Sequence, residues 1–308
     1  MKGVVIKSTG SWYDVRLEDG RHLQARVKGK LRLVDRRTTN PVIIGDRVLI
    51  ESENHDAVIA EVLPRDNYII RQSSRHRAAE HIIACNLDQA FLMATITQPR
   101  TSSGFIDRFL VTATAYHVPT VIVFNKLDLY DGKELRTLDE WKQLYDAIGY
   151  RVVATSVVTN TGVEEVKAMM TNKTSLLAGH SGVGKSTLIN KIVPELNLKI
   201  GELSGYHEKG RHTTTFAEMH ELPFGGFIID TPGMKEFGIL DFEVSEVSQY
   251  FPEMAERLHH CRFNNCLHIN EPKCAVKEAV ESGEIALSRY ENYLSIIHEL
   301  KTDEKIYD

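Results

Sequence analysis

Residues 179–186 read Gly-His-Ser-Gly-Val-Gly-Lys-Ser, preceded by the apolar run Thr-Ser-Leu-Leu-Ala and followed by Thr-Leu-Ile-Asn-Lys-Ile. A buried strand, a glycine-rich turn and a helix start thus follow one another directly, at the G-x-x-x-x-G-K-[ST] spacing of a phosphate-binding loop. Glycines let the backbone N–H groups turn inward around phosphates, and the helix N-terminus adds partial positive charge. Gly179, His180, Ser181, Gly182, Val183 and Gly184 would form the cradle. Lys185 would reach the β- and γ-phosphates, which makes it a candidate catalytic residue, Ser186 would ligate Mg²⁺, and Thr187 completes the GTP-binding set of the loop.

Outward from this loop, nearly continuous apolar runs predict strands at 89–96, 120–124, 151–155, 175–178 and 227–230, as in a parallel sheet buried on both faces. Helical patterns at 105–117, 135–148, 163–170 and 185–192 supply the crossovers of a doubly wound α/β domain. Upstream, short strands at 3–7, 12–17, 22–27, 46–51 and 57–63, with an Asp19-Gly20 hairpin turn, predict a small OB-like β-barrel. Residues 66–85 turn polar and read as a linker; beyond about 240 only helical patterns remain, ending in a long helix over 285–300. The expected architecture is therefore multidomain, β followed by α/β. It comprises a barrel over 1–68, a P-loop domain with a parallel sheet over 69–240, and a helical module over 241–308.

The base-reading turn is Asn125-Lys126-Leu-Asp128, directly after the apolar run Thr-Val-Ile-Val-Phe. Sites of this kind form at the carboxyl ends of strands. The Asp128 carboxylate can accept two hydrogen bonds from guanine, whereas adenine would leave that charge unpaired, so guanine is favoured over ATP-type substrates. Asn125 can bond the opposite edge of the base or brace the phosphate loop, and the Lys126 stem can pack over the ring. Ser156 and Val157, after another strand, are the candidate backbone contacts to the guanine O6. Asp230-Thr-Pro-Gly233 offers a carboxylate for Mg²⁺ and an N–H for the γ-phosphate, while Thr214 or Thr215 in the upstream segment 204–216 could close over the metal. Met234 stands where many GTPases carry a glutamine that orients water, so slow intrinsic hydrolysis is expected, raised by a partner, with His212 the candidate substitute.

Apolar residues make up 42% and charged residues 26%, which allows a real core and argues against disorder. No stretch is apolar and long enough to span a bilayer, and the N-terminus lacks the pattern of an export signal, so a cytoplasmic location is expected. The net charge of −5 conceals an asymmetry: residues 1–37 hold ten Lys/Arg against four Asp/Glu, an excess of +6. Lys28, Lys30, Arg32, Arg36 and Arg37 form a basic cluster suited to a polyanion such as RNA, although barrels of this kind also bind proteins.

Base recognition and base support precede the phosphate loop here, and the two switches follow it, a circular permutation of the usual order. A doubly wound sheet tolerates this because opening a different surface loop keeps every strand contact. Basic barrel, Asn-Lys-Leu-Asp at 125–128, the phosphate loop at 179–186, Arg-His-Thr-Thr-Thr at 211–215, Asp-Thr-Pro-Gly at 230–233 and a C-terminal Cys/His cluster together resemble the bacterial small-subunit biogenesis GTPases called RsgA, YjeQ or YloQ. That resemblance implies hydrolysis of GTP to GDP and phosphate coupled to late maturation of the small (30S) ribosomal subunit, with contacts to its 16S rRNA. The rival reading is a GTP-dependent switch whose barrel docks a protein. The chain is expected to act as a monomer away from membranes.

Cys261, Cys266, His268 and Cys274 supply three thiolates and one imidazole within fourteen residues, a complete tetrahedral set for one structural Zn²⁺. His259 and His260 lie close enough to compete for the fourth position, and the family resemblance points to His268. Cys85 stands apart as a packed thiol.

Overall fold

Alternating buried and exposed residues over the first sixty or so positions form five strands: β1 (Lys2–Ser8), β2 (Tyr13–Leu17), β3 (His22–Val27), β4 (Arg47–Glu53) and β5 (Asp56–Val62). The computed structural model describes residues 1–29, 31, 41–53, 56–71, 81–198, 218–230 and 242–304. β1 pairs with both β2 and β4, β2 with β3, β3 in parallel with β5, and β5 with β4, which closes the barrel. Val5, Val15, Ala25, Val48 and Ile59 fill its interior. Gly20, at φ +86°, makes the turn between β2 and β3 that a side chain would strain. Lys28 follows β3 and pairs with Glu51 at 3.1 Å; Lys30, Arg32, Arg36 and Arg37 lie outside the described residues.

The segment expected to be a linker is in part structured. β6 (Tyr68–Arg71) and β7 (His81–Cys85) pair antiparallel in a separate two-stranded sheet. The driving force is burial of Ile70, Ile82 and Cys85 together, and of Ile69 and Ala84 against the neighbouring core. Each apolar run is too short to stand out beside the polar residues 72–80, which lie outside the described residues.

Five parallel strands follow in the order β10 (Arg151–Ala154), β9 (Thr120–Phe124), β8 (Gln89–Ala94), β11 (Lys173–Ala178) and β13 (Gly226–Asp230). On one face α1 (Ser103–Ala115) and α2 (Gly132–Ala147) cover Ala90, Leu92 and Ala94. On the other, α3 (Val163–Met170) and α4 (Lys185–Ile192) cover Phe91 and Met93. The strand order reverses between β8 and β11, the switch point at which open α/β sheets bind ligands.

The sheet is not purely parallel, as the sequence had suggested. β12 (Glu218–Glu221) lies antiparallel beside β13, and its outer edge pairs with β1 through Glu218 and Lys7, so nucleotide sheet and barrel form one continuous sheet of eleven strands. The sequence Glu-Met-His-Glu carries no apolar run; pairing on both sides and the ion pair of Lys7 with Glu218 at 2.6 Å hold it extended.

The C-terminal part is helical: a 3₁₀ turn at Val247–Tyr250, α5 (Pro252–Ala255), a second 3₁₀ turn at Leu258–His260, α6 (Ala275–Glu281) and α7 (Leu287–Glu304). Val247, Phe251, Met254, Val276, Tyr293, Ile296 and Ile297 form its core together with Val111 of α1. Arg289 of α7 is 1% exposed and meets Asp107 of α1 at 2.5 Å and Glu253 of α5 at 2.7 Å. Tyr145 and Asn292 donate further hydrogen bonds to Asp107 at 2.8 and 2.6 Å. Burial presses the Asp107 carboxyl upward, and the charge of Arg289 opposes it.

Candidate nucleotide and metal sites

Every described residue of the expected nucleotide site sits at the carboxyl edge of the parallel sheet. β11 delivers the loop Gly179–Gly184, β9 the turn 125–128, β10 Ser156 and β13 Asp230. Gly179, at φ +136°, lies against β8, where a Cβ would come within 2.3 Å of the Met93 carbonyl oxygen. Gly184, at φ +96°, leaves no room either, since a Cβ there would lie 2.4 Å from Asn125 Nδ2. These two positions need glycine because the loop is pressed onto its neighbours.

Of the two roles open to Asn125, the structure displays the brace: its Nδ2 donates to the Val183 carbonyl at 2.9 Å. Thr155 Oγ1 donates to Asn125 Oδ1 at 2.9 Å, and the Tyr130 hydroxyl donates to the Asn125 carbonyl at 2.6 Å. Asn125 is 2% exposed, and its amide orientation is thus fixed at both ends. Lys126 occupies a left-handed conformation, φ +65°, and its ammonium donates to the Gln98 carbonyl at 2.5 Å. Burial lowers its pKa, with Asp128 opposing. Asp128 lies in a 3₁₀ turn, Leu127–Leu129, and accepts a short hydrogen bond from Ser156 Oγ. A bridge between Ser156 and Thr161 closes the loop that follows β10, with Val157 half-buried against the helical face.

Lys185, the first residue of α4, donates to the carbonyls of Gly179 and His180 at 2.8 and 3.0 Å. Burial lowers its pKa, and the Asp230 carboxylate pulls the other way. Ser186 and Thr187 are half-buried in the same first turn, and Ser181 is exposed. The His180 ring lies on Phe105 of α1, with centroids 3.7 Å apart. His212, Thr214, Thr215, Gly233 and Met234 fall outside the described residues. Sequence reasoning did not single out Thr155, Tyr130 or Phe105. Thr155 sits beside the residues it named, whereas nothing local marks Tyr130 or Phe105, which arrive from other elements.

In the helical part, Cys261, Cys266, His268 and Cys274 place their ligand atoms within 4.8 Å of one another. His268 Nδ1 lies 3.2 Å from Cys274 Sγ and 3.7 Å from Cys261 Sγ, and the two sulfurs are 4.0 Å apart. A tetrahedral Zn²⁺ with ordinary Zn–S and Zn–N bonds has S–N and S–S edges of about 3.5–3.8 Å, so a small closing movement fits the four donors to one zinc with no open position. Burial pushes the Cys266 thiol up to about 12, so a bound divalent cation is what would keep it ionised. Glu271 holds the intervening loop: its carboxylate accepts from the N–H groups of Leu267, Ile269 and Asn270, which outweigh desolvation and lower its pKa. The exposed rings of His259 and His260 meet each other, tilted, with centroids 3.9 Å apart, and neither belongs to the ligand group. Cys85 is fully buried, donates to Asp46 at 3.1 Å, and is a packed thiol as expected.

A phosphate loop and a base-reading turn at the switch point of a doubly wound sheet, in permuted order, define the class: a circularly permuted P-loop GTPase. Residues 62–240 match the family described as RsgA GTPase, and residues 2–59 match the RsgA N-terminal domain. The chain belongs to the RsgA family of GTPases. It is 50% identical over 301 residues to the small ribosomal subunit biogenesis GTPase RsgA of Christiangramia forsetii, covering 96% of each. The protein of the same name from Phocaeicola vulgatus is 51% identical over 300 residues, 97% of each. Among solved structures, YjeQ from Thermotoga maritima superposes with a TM-score of 0.80 at 37% identity, over 97% of this chain and 98% of that one. YloQ, a circularly permuted GTPase, gives 0.76 at 30% identity, over 98% and 95%.

Proposed function

We propose that this chain hydrolyses GTP during late assembly of the small ribosomal subunit, binding its 16S rRNA, as a cytoplasmic monomer. The observation that supports this best is near-full-length identity of about half to proteins named for that task, joined to a phosphate loop braced by the base-reading turn. Three units divide the work: the barrel over 1–68 contacts rRNA through Lys28, Lys30, Arg32, Arg36 and Arg37; residues 69–240 bind and hydrolyse GTP; and 241–308 form the zinc module.

Asp128, held by Ser156, reads the guanine N1–H and amino group, and Lys126 covers the ring. Entering phosphates replace the Gly179 and His180 carbonyls as partners of Lys185, whose charge then offsets that developing on the γ-phosphate. Ser186, Asp230 and Thr214 or Thr215 are the residues that would hold the Mg²⁺ that accompanies GTP, and the ion would neutralise charge on the phosphates. His212 orients the attacking water in place of the glutamine that Met234 replaces.

GTP turnover of the purified protein, alone and with isolated small or large subunits, tests the assignment. Stimulation by small subunits alone is expected; equal rates in all three conditions would move the partner to a protein. In the stimulated assay, His212→Ala should slow turnover about a hundredfold or more while sparing GTP affinity.

A further inference from the structure

The phosphate loop rests on two supports. Asn125 holds Val183 from inside the sheet edge, and Phe105 holds His180 from outside it. The second support leads elsewhere in the molecule. Phe105 lies in the first turn of α1, where Ser102 Oγ accepts from its N–H at 3.2 Å. The middle of α1 is fixed in the core by Ile106, Phe109 and Leu110, all fully buried, but Ser103, Gly104 and Phe105 are only half-buried.

What sets the far side of that turn is α7. Asn292 Nδ2 donates to Asp107 Oδ2 at 2.6 Å and to Ser103 Oγ at 3.3 Å, and a Cβ on Gly104 would come within 3.3 Å of Asn292 Oδ1. The same helix carries the hydroxyls of Tyr290 and Tyr293, which donate to the carbonyls of His268 and Leu267 at 2.6 and 2.7 Å. α7 therefore grips the loop that bears the metal ligands and, at adjacent positions, the turn that bears Phe105.

We propose that Phe105 and Asn292 are positioning residues for the phosphate loop, with the first turn of α1 transmitting the seating of α7 to His180 and thence to Lys185. His180 is the lever because its carbonyl is one of the two on which the Lys185 ammonium rests. Phe105 and Asn292 act by deciding where the loop stands when phosphate arrives. The inference rests on nucleotide binding at this loop. Failure of that reading would show as absence of GDP binding by the unaltered chain, failure of the inference only in the variants.

The test is the affinity of the full chain for a fluorescent GDP derivative in Asn292→Ala, His180→Ala and the double variant, with a melting transition recorded for each. Asn292→Ala should weaken GDP binding about fivefold, the lower end of ordinary coupling between sites. In the His180→Ala background the same change should add less than about twofold, because the path is already cut. A contribution to folding alone would lower the melting midpoint and leave GDP affinity unchanged, and that result overturns the proposal, as would equal, additive losses in both backgrounds. Phe105→Leu repeats the test from the other end: it should weaken GDP binding in the unaltered chain but not in His180→Ala. GTP turnover should show a raised KM together with a lowered kcat, because Lys185 also offsets the charge that develops in the transition state; a melting shift with both constants unchanged would leave only a structural role.

Discussion

Two seams join the nucleotide sheet to its neighbours through charged side chains, and they are built in opposite ways. At the barrel seam, Lys7 meets Glu218 at 2.6 Å and His22 meets Glu221 at 2.9 Å, while Arg16 Nε lies 2.7 Å from Glu221 as a charge contact without hydrogen-bond alignment. These side chains are a third to a half exposed. At the helical seam, Arg289, Asp107 and Glu253 are 1%, 0% and 7% exposed. Water screens the first set, so it adds little energy and leaves the junction adjustable. The second set has given up its hydration and is stable only as a complete network.

The sharpest break of this contrast is Arg289→Met. It leaves two buried carboxylates without a countercharge, and a loss of about 3–5 kcal/mol is expected, seen as a lower urea midpoint that added salt does not restore. Adding Asp107→Asn and Glu253→Gln to that variant should recover much of the loss, because no unpaired charge then remains. Glu221→Ala at the barrel seam should cost less than about 1 kcal/mol, and the difference should shrink between 0.1 and 1 M salt as the screening length falls from about 10 to about 3 Å. A salt-independent Glu221 effect would show that this seam is drier than its exposure suggests.

The phosphate loop lies between these extremes. Burial, and then the charge of Lys185, hold His180 below its ordinary 6.5. As pH falls through 6.5 the unfolded chain takes up a proton that the folded chain refuses, so stability declines with acidification in the window just below 6.5 and is flat above it. His180→Phe should flatten that part of the curve, measured by thermal midpoints from pH 5 to 8. An unchanged slope would place the ring in fuller contact with solvent.

Elements with a long apolar signature were legible in the sequence. α3 and α4 coincide with the helical patterns at 163–170 and 185–192, and β9 with the run at 120–124, because burial on one or both faces wrote itself into the residue types. The phosphate loop and the Cys/His set were legible for another reason: their chemistry fixes residue types at short spacing. What stayed hidden depends on partners far along the chain. β12 is held by strands on both sides, and β6 and β7 by each other. Arg289 sits in the polar stretch Ser-Arg-Tyr-Glu-Asn, which no periodicity distinguishes from a solvent-facing helix; Asp107, 182 residues away, and Glu253, 36 residues away, make it a core residue.

The pairing of β1 with β12 has a consequence for how the molecule survives in a crowded solution. Without the barrel, β12 would end the sheet as a bare strand, with unsatisfied N–H and C=O groups ready to recruit the edge of another copy. The barrel, whose own strands close on themselves, meets that edge at Glu218 through Lys7. Its place there obstructs the approach of a second strand along β12, independently of anything else the barrel holds.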